Sequence, residues 1–353
     1  MESRMFAASA TKGSKMIKLL SHLSYVAITT PDVEASVAFY VERVGLTVVD
    51  RIDGAVYLRC WGDHYAYSVV VLPGDEPSLA TMAWRTSSPE ALDEAVRRIE
   101  DAGMQGEWVD AHKIGRAYTF TGPWGHSMTL HWDVTRHRPE PGAASLYPDR
   151  PEKRSTVAGA PRQLDHVTVA ASDVDAFAAW YEKVLGFRIM ARTLLDEAPI
   201  SVFSVLTTNE KSHDLGVVLD GSTRPGRINH YAFWVDTREE LLIAADTLME
   251  HGVPIEYGPS IHGIGEQNFL YYREPSTLRI ELNTGGYRNY VPDWEPNTWT
   301  PAMGSNNFYR NGAMPMSMTE SFPAADGPSA TEEGVPDEIR QALLNPYAVH
   351  GRG

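Results

Sequence analysis

Residues 164–190, LDHVTVAASDVDAFAAWYEKVLGFRIM, read beside residues 20–49, LSHLSYVAITTPDVEASVAFYVERVGLTVV, decide the fold, because both stretches pass through the same series of signals. Each opens with an alternating apolar run suited to a half-buried strand and then meets a polar turn, Ser172-Asp173 or Thr30-Pro31-Asp32, that can cap a helix. An amphipathic helical stretch follows, stopped by Gly186 or Gly45 before the next strand. A second kind of copy comes after each: MAWRTSSPEALDEAVRRIEDAGM at 82–104 and YAFWVDTREELLIAADTLMEHGV at 231–253 share the order strand, cap, helix, glycine. Short alternating runs such as AVYLRC, SMTLHW, SVFSVL, LGVVLD and LRIELN fill the intervals and read as hairpin strands. The chain is therefore expected to be α+β, built from four βαβββ modules paired into two domains.

A chain of 353 residues can bury a large core and divide into domains. The expected boundaries are a disordered start over 1–19, a first pair of modules over 20–137, a linker rich in Pro, Gly and charge over 138–162, a second pair over 163–300 and a tail over 301–353. Within that tail the aromatic stretch after Asn283 is expected to pack back on the second domain, PDEIRQALLN can form a short helix, and the last thirty or so residues are expected to be loosely held. Acidic residues outnumber basic ones 46 to 31, and the net charge of −15 disfavours nucleic acid and anionic membranes as partners. No run of about eighteen apolar residues suggests a membrane span. The one cysteine, Cys60, excludes an internal disulfide or a cysteine-based metal site and fits a reducing cytoplasm.

His166 in LDHVTVA, His230 in INHYAFWV and Glu281 in LRIELN each place a polar group in a strand that otherwise alternates as a buried one. Taken singly, each is more simply a satisfied core residue. Together, at corresponding points of paired modules, two imidazoles and a carboxylate suit a facial triad for a divalent iron with open positions for other ligands. A cation also removes the cost of burying the carboxylate. The first pair of modules serves as an internal control: His22 is aligned with His166, but Thr81 with His230 and Thr129 with Glu281, so one potential ligand in three remains there.

The run His262-GIGEQNF-Leu270-Tyr271-Tyr272-Arg273-Glu274-Pro275-Ser276-Thr277-LRI-Glu281, in a chain of four such modules, resembles the signature of the type I extradiol catechol dioxygenases of the vicinal oxygen chelate superfamily. Thr277 departs from it, standing where Gly or Pro is usual, and so does Ser260. The resemblance implies that each domain is an incomplete barrel of mixed β-sheet with helices outside. It implies a non-haem Fe(II) enzyme, with Mn(II) possible in the same ligands, that cleaves a catechol next to the diol with both atoms of O2. The product is then of the 2-hydroxymuconate-semialdehyde type. It further implies His213 as acid-base, His262 as a donor to a substrate oxygen from a glycine-bearing loop, Tyr271 as a hydrogen-bond partner of the bound catecholate, and assembly as a homo-oligomer. Ile264, Trp294 and Trp299 can line a pocket or simply pack; His112, His126, His131, His137 and His251 are read as structural. Two alternatives share the fold: a 2-oxo-acid dioxygenase of hydroxyphenylpyruvate type and a non-catalytic binding protein.

Overall fold

The computed structural model describes residues 18–196 and 198–325. The expected helix at 336–345, nearly all of the expected disordered start and nearly all of the loosely held end lie outside the described residues. Four βαβββ modules follow one another: β1 (Leu20–Thr30), α1 (Val33–Phe39), β2 (Thr47–Ile52), β3 (Ala55–Arg59), β4 (Val69–Pro73); β5 (Ser78–Thr86), α2 (Pro89–Asp101), β6 (Gly106–Ala111), β7 (Gly115–Thr121), β8 (Ser127–His131); β9 (Gln163–Ala171), α3 (Val174–Leu185), β10 (Arg188–Leu194), β11 (Ser201–Thr207), β12 (Leu215–Leu219); and β13 (Ile228–Trp234), α4 (Arg238–Glu250), β14 (Ile255–Ile261), β15 (Gln267–Arg273), β16 (Arg279–Gly285).

The helices start and stop where the sequence signals them. Asp32 and Asp173 accept from the backbone N–H three residues on, Ser88 does the same, and Thr237 with Glu240 closes a reciprocal capping box. Gly186 ends α3 at φ +73°, and Gly45, at φ +82°, ends the π-helical turn Tyr40–Val44 that continues α1.

Each pair of modules makes one curled sheet, joined through an antiparallel pair of opening strands: β1 with β5, and β9 with β13. The strand order is β2-β3-β4-β1-β5-β8-β7-β6 in the first sheet. The second runs β14-β15-β16-β13-β9-β12-β11-β10-β17, where β17 (Asn297–Trp299) is contributed by the segment after the modules. Alternation divides the side chains of the second sheet. Val167, Val169, Tyr231, Phe233, Ile280 and Leu282 join the main hydrophobic core, so the residues between them, His166, Thr168, His230, Ala232 and Glu281, face the other side. None of the described helices is long and apolar enough to cross a membrane.

The register corrects the internal control. Ala232 of β13 stands opposite His166 and beside Glu281, and in the first sheet the matching Ala83 stands opposite Tyr25 and beside Thr129. His166 therefore corresponds to Tyr25, and His22, three residues earlier, pairs with Arg85 instead. The tripeptides Leu20-Ser21-His22 and Leu164-Asp165-His166 look alike but occupy different registers, and the capping aspartates Asp32 and Asp173 give the true offset. The first sheet thus retains none of the three ligands.

The residues between the sheets, without helix or strand, are fastened by polar contacts. Arg59, fully buried, pairs with Glu152; the Trp61 indole donates to the Ala160 carbonyl at 3.1 Å, and Arg162 clasps Asp236 at 2.7 Å. After β16 the aromatic segment packs back as expected: β17 pairs in parallel with β10 and the Trp294 indole donates to Met190 O at 2.9 Å.

Candidate metal centre

Four neighbouring strands bring the candidate residues together. In the register of β9, β13, β16 and β15, Ala232 is opposite His166, Glu281 is beside Ala232, and Tyr271 is opposite Glu281. The His166 and His230 Nε2 atoms lie 3.2 Å apart, and each is 3.1 Å from Glu281 Oε2. All three residues are buried.

The Nδ1 atoms explain what the triangle is for. His166 Nδ1–H donates to Asp165 Oδ2 at 2.9 Å, and His230 Nδ1–H donates to Asn229 Oδ1 at 2.8 Å. The Asn229 amide is oriented by its own NH2 group, which donates to Met318 O (3.0 Å) and Glu320 O (2.9 Å), so its oxygen must accept. A neutral imidazole with its proton on Nδ1 presents a lone pair at Nε2. With Nε2 free of a proton, two lone pairs and a carboxylate converge on one point. Ligands about 2.1 Å from a common ion and at right angles to one another are about 3.0 Å apart, so this triangle fits one divalent ion on three of its faces. Without the ion a proton takes its place. Burial acts to lower His166, but the Glu281 charge outweighs it and lifts the imidazole to about 9, while burial brings His230 down to about 4.

Asp165 and Asn229 are the site residues that the sequence reading missed. Each immediately precedes a ligand histidine, and that repeated pairing of a side-chain acceptor with His was the available signal. Asp165 is a buried hub that also receives Lys211 Nζ (3.0 Å), Asn283 Nδ2 (3.1 Å) and Gln267 Nε2 (3.3 Å). Burial acts to raise its carboxyl, yet Lys211 and His166 hold it below the usual carboxylate range.

His213, in the turn before β12, places its ring 4.3 Å from that of His166, with Nδ1 3.3 Å from Ser212 Oγ. Burial keeps it well below the ordinary histidine range, so it rests neutral. Tyr271 faces the site and Tyr272 the core, as alternation requires. The Tyr271 hydroxyl lies 3.0 Å from His262 Nε2, while His262 Nδ1–H donates to Asn306 O at 2.7 Å. His262 is therefore an acceptor for Tyr271 when neutral, and burial lowers its pKa. Its ring stacks on Phe269 at 3.9 Å, so it is clamped at the end of its loop and not a free donor.

All six residues line one cavity of about 140 Å³. Ile264 lines it as well; Trp294 and Trp299 instead pack against Met190, Ala191 and Val205. The five histidines read as structural each hold a partner away from the cavity, for example His131 Nε2 on Ser24 Oγ at 2.7 Å and His126 Nε2 on Arg227 O at 3.0 Å.

The sequence profile of the Glyoxalase/Bleomycin resistance protein/Dioxygenase superfamily matches residues 22–130 and 163–282, more than half of the chain. The chain belongs to this superfamily. Among its relatives there, it is 32% identical over 285 residues to the manganese-dependent 2,3-dihydroxybiphenyl 1,2-dioxygenase of Geobacillus genomosp. 3, covering 79% of this chain and 90% of that one. It is 30% identical over 282 residues to the metapyrocatechase of Geobacillus stearothermophilus, covering 79% and 86%. In fold it resembles a mutant homoprotocatechuate 2,3-dioxygenase from Brevibacterium fuscum, with a TM-score of 0.79, 24% identity and coverage of 95% of this chain and 92% of that one. Within the superfamily, then, the chain stands with the extradiol dioxygenases, and its two sheets are the paired glyoxalase-type domains of that group.

Proposed function

We propose that His166, His230 and Glu281 hold one divalent iron, or manganese in its place, and that His213, His262 and Tyr271 serve the reaction carried out beside it. The protein is an extradiol dioxygenase, which opens a catechol ring next to the diol with incorporation of both atoms of O2. On this reading residues 163–300 form the catalytic domain and 20–137 a scaffold. Assembly into homo-oligomers in the cytoplasm belongs to the same proposal.

The observation that carries the reading is the convergence of two Nε2 atoms, each on a ring whose Nδ1 is committed to an acceptor, and a buried carboxylate within 3.2 Å of one another. A divalent ion held by His166, His230 and Glu281 would supply Lewis-acid assistance and bring catechol and O2 together. The chain's own groups do the rest. Asp165 and Asn229 fix both imidazoles in the ligating tautomer before anything binds. His213, neutral at rest and with Nδ1 turned to Ser212, offers Nε2 to take a hydroxyl proton from the entering catechol and to return it later to a departing oxygen. Burial keeps the Tyr271 hydroxyl well above the ordinary tyrosine range, so it stays protonated and can hand its hydrogen bond from His262 to a substrate oxygen.

The test is anaerobic purification with metal analysis, then addition of catechol and air. About one iron or manganese per chain together with yellow ring-cleavage product is the expected result. A metal-loaded protein that consumes no oxygen with any catechol refutes the reading.

A further inference from the structure

The cavity has two unlike ends. One holds the ligand triangle with His213, His262 and Tyr271. A catechol whose two oxygens sit at that end must direct its ring substituents into the remainder, which Val202 and Phe203 of β11 and Val218 and Leu219 of β12 line. The strap after the modules lines the same cavity through Met314, Met318 and Thr319, with Met314 and Met318 packed beside Tyr271, and Thr168, Thr193, Ser305 and Asn306 add polar groups. Among the described residues lining the cavity there is no lysine or arginine.

Two arginines do lie under the strap, but their charge and their hydrogen bonds are already committed. Arg279, fully buried, makes a two-point pair with Glu256 (3.0 Å each) and donates to Glu320 O at 3.0 Å. Arg227 pairs with Asp220 at 2.7 Å and donates to Ser321 O (2.6 Å) and Pro323 O (2.8 Å). Asn229 adds its two donations to Met318 O and Glu320 O, and the same amide orients His230. The strap is thus fastened to the strand that carries a metal ligand, and the fastening occupies both arginines.

Resting on the dioxygenase reading above, we propose that this pocket selects catechols whose ring substituents are uncharged, alkyl or aryl. The strap Met314–Thr319 is the specificity-determining segment. Asn229 is the positioning residue that ties the strap to His230. A carboxylate on the ring would be buried among aliphatic, thioether, hydroxyl and amide groups with no counter-charge, and desolvating it there is more costly than burying a methyl group.

The experiment compares 4-methylcatechol with 3,4-dihydroxyphenylacetate on the metal-loaded full-length protein, by oxygen uptake and by anaerobic calorimetric titration. The proposal expects the methyl compound to be favoured at least about a hundredfold in kcat/KM and to be the one that binds measurably without O2. Equal use of the two overturns the specificity and leaves the dioxygenase reading intact; no turnover or binding of either catechol overturns both. Met318→Arg should narrow the ratio at least about tenfold. Asn229→Asp keeps the acceptor for His230 Nδ1 and removes both donors to the strap. Compared with the parent at matched metal loading, it should lower selectivity and accelerate proteolytic cleavage between Met314 and Glu320. A variant with the strap still resistant and the selectivity of the parent refutes the role of Asn229.

Discussion

Replacing Thr277 by glycine should stabilise the protein. Beyond the Arg273–Arg279 pair, the hairpin between β15 and β16 closes with Glu274 N–H donating to Leu278 O at 3.1 Å around the three-residue loop Pro275-Ser276-Thr277, within which Thr277 N–H donates to Glu274 O at 2.9 Å. Such loops end in a residue with left-handed backbone, and Thr277 has φ +84°. For a β-branched residue this conformation costs about 1–2 kcal/mol, because Cβ crowds the following carbonyl. Glycine escapes that strain but loses about 0.5–1 kcal/mol through the greater freedom of its unfolded chain. The Thr277 side chain is exposed and holds no hydrogen bond among the described residues, so nothing else is forfeited. The net expectation is a gain of about 1 kcal/mol, or about 2–4 °C in the melting temperature of a domain of this size. Parallel thermal melts of the metal-loaded parent, Thr277→Gly and Thr277→Ala measure it, with alanine, which retains Cβ, gaining less than glycine. A glycine variant that melts with or below the parent, or an alanine variant that gains as much, refutes the argument from strain.

Glu281→Ala should lose metal and activity together, whereas His213→Phe should keep the metal and lose turnover by about a hundredfold or more, as metal analysis beside oxygen uptake will report. Metal binding should depend on pH: the ion displaces the proton that Glu281 holds on His166 up to about pH 9. The apparent association constant should therefore rise about tenfold per pH unit toward that value and level off above it, and His230, at about 4, releases none near neutrality. A chelator competition series from pH 6 to pH 10, flat throughout, would contradict this linkage. Glu152→Ala leaves the Arg59 guanidinium buried without its carboxylate, and denaturant titration should show a loss of about 3–5 kcal/mol.

The modules were legible because each helix is bracketed by its own cap and glycine and each strand alternates, signals that local physics imposes whatever the rest of the chain does. The ligands were legible for the converse reason: His166, His230 and Glu281 break an apolar alternation that nothing local would break. Alternation also separated Tyr271 from Tyr272, since adjacent strand residues face opposite sides. Register was less accessible. His22 and His166 sit in similar tripeptides, whereas the pairing of Tyr25 with Ala83 is set by strands about sixty residues apart. The strap was out of reach altogether. Met314 and Met318 lie in irregular chain with no period, and what seats them is the burial of Arg227, Arg279 and Asn229 under backbone carbonyls, a tertiary fact that no spacing announces.

The two sheets show how little separates a scaffold from a metal site. At the three equivalent positions the first sheet carries Tyr25, Thr81 and Thr129, and there Thr129 Oγ1 meets Thr81 Oγ1 and Thr119 Oγ1 at 3.1 Å each, while the Tyr25 ring packs edge-on against Tyr67. Hydroxyl groups can both donate and accept, so that set closes on itself without net charge. Imidazoles committed at Nδ1 and an ionised carboxylate cannot do this: they are all acceptors, and brought within 3.2 Å of one another they require a positive charge in their midst. Both halves repeat the same order of strands and helices, and that order does not decide the outcome. What turns the second half into a metal centre is the loss of self-sufficiency in its hydrogen bonding, reinforced by Asp165 and Asn229, which remove the one proton donor each histidine could have offered Glu281. Restoring that donor should weaken metal binding even with all three ligands in place.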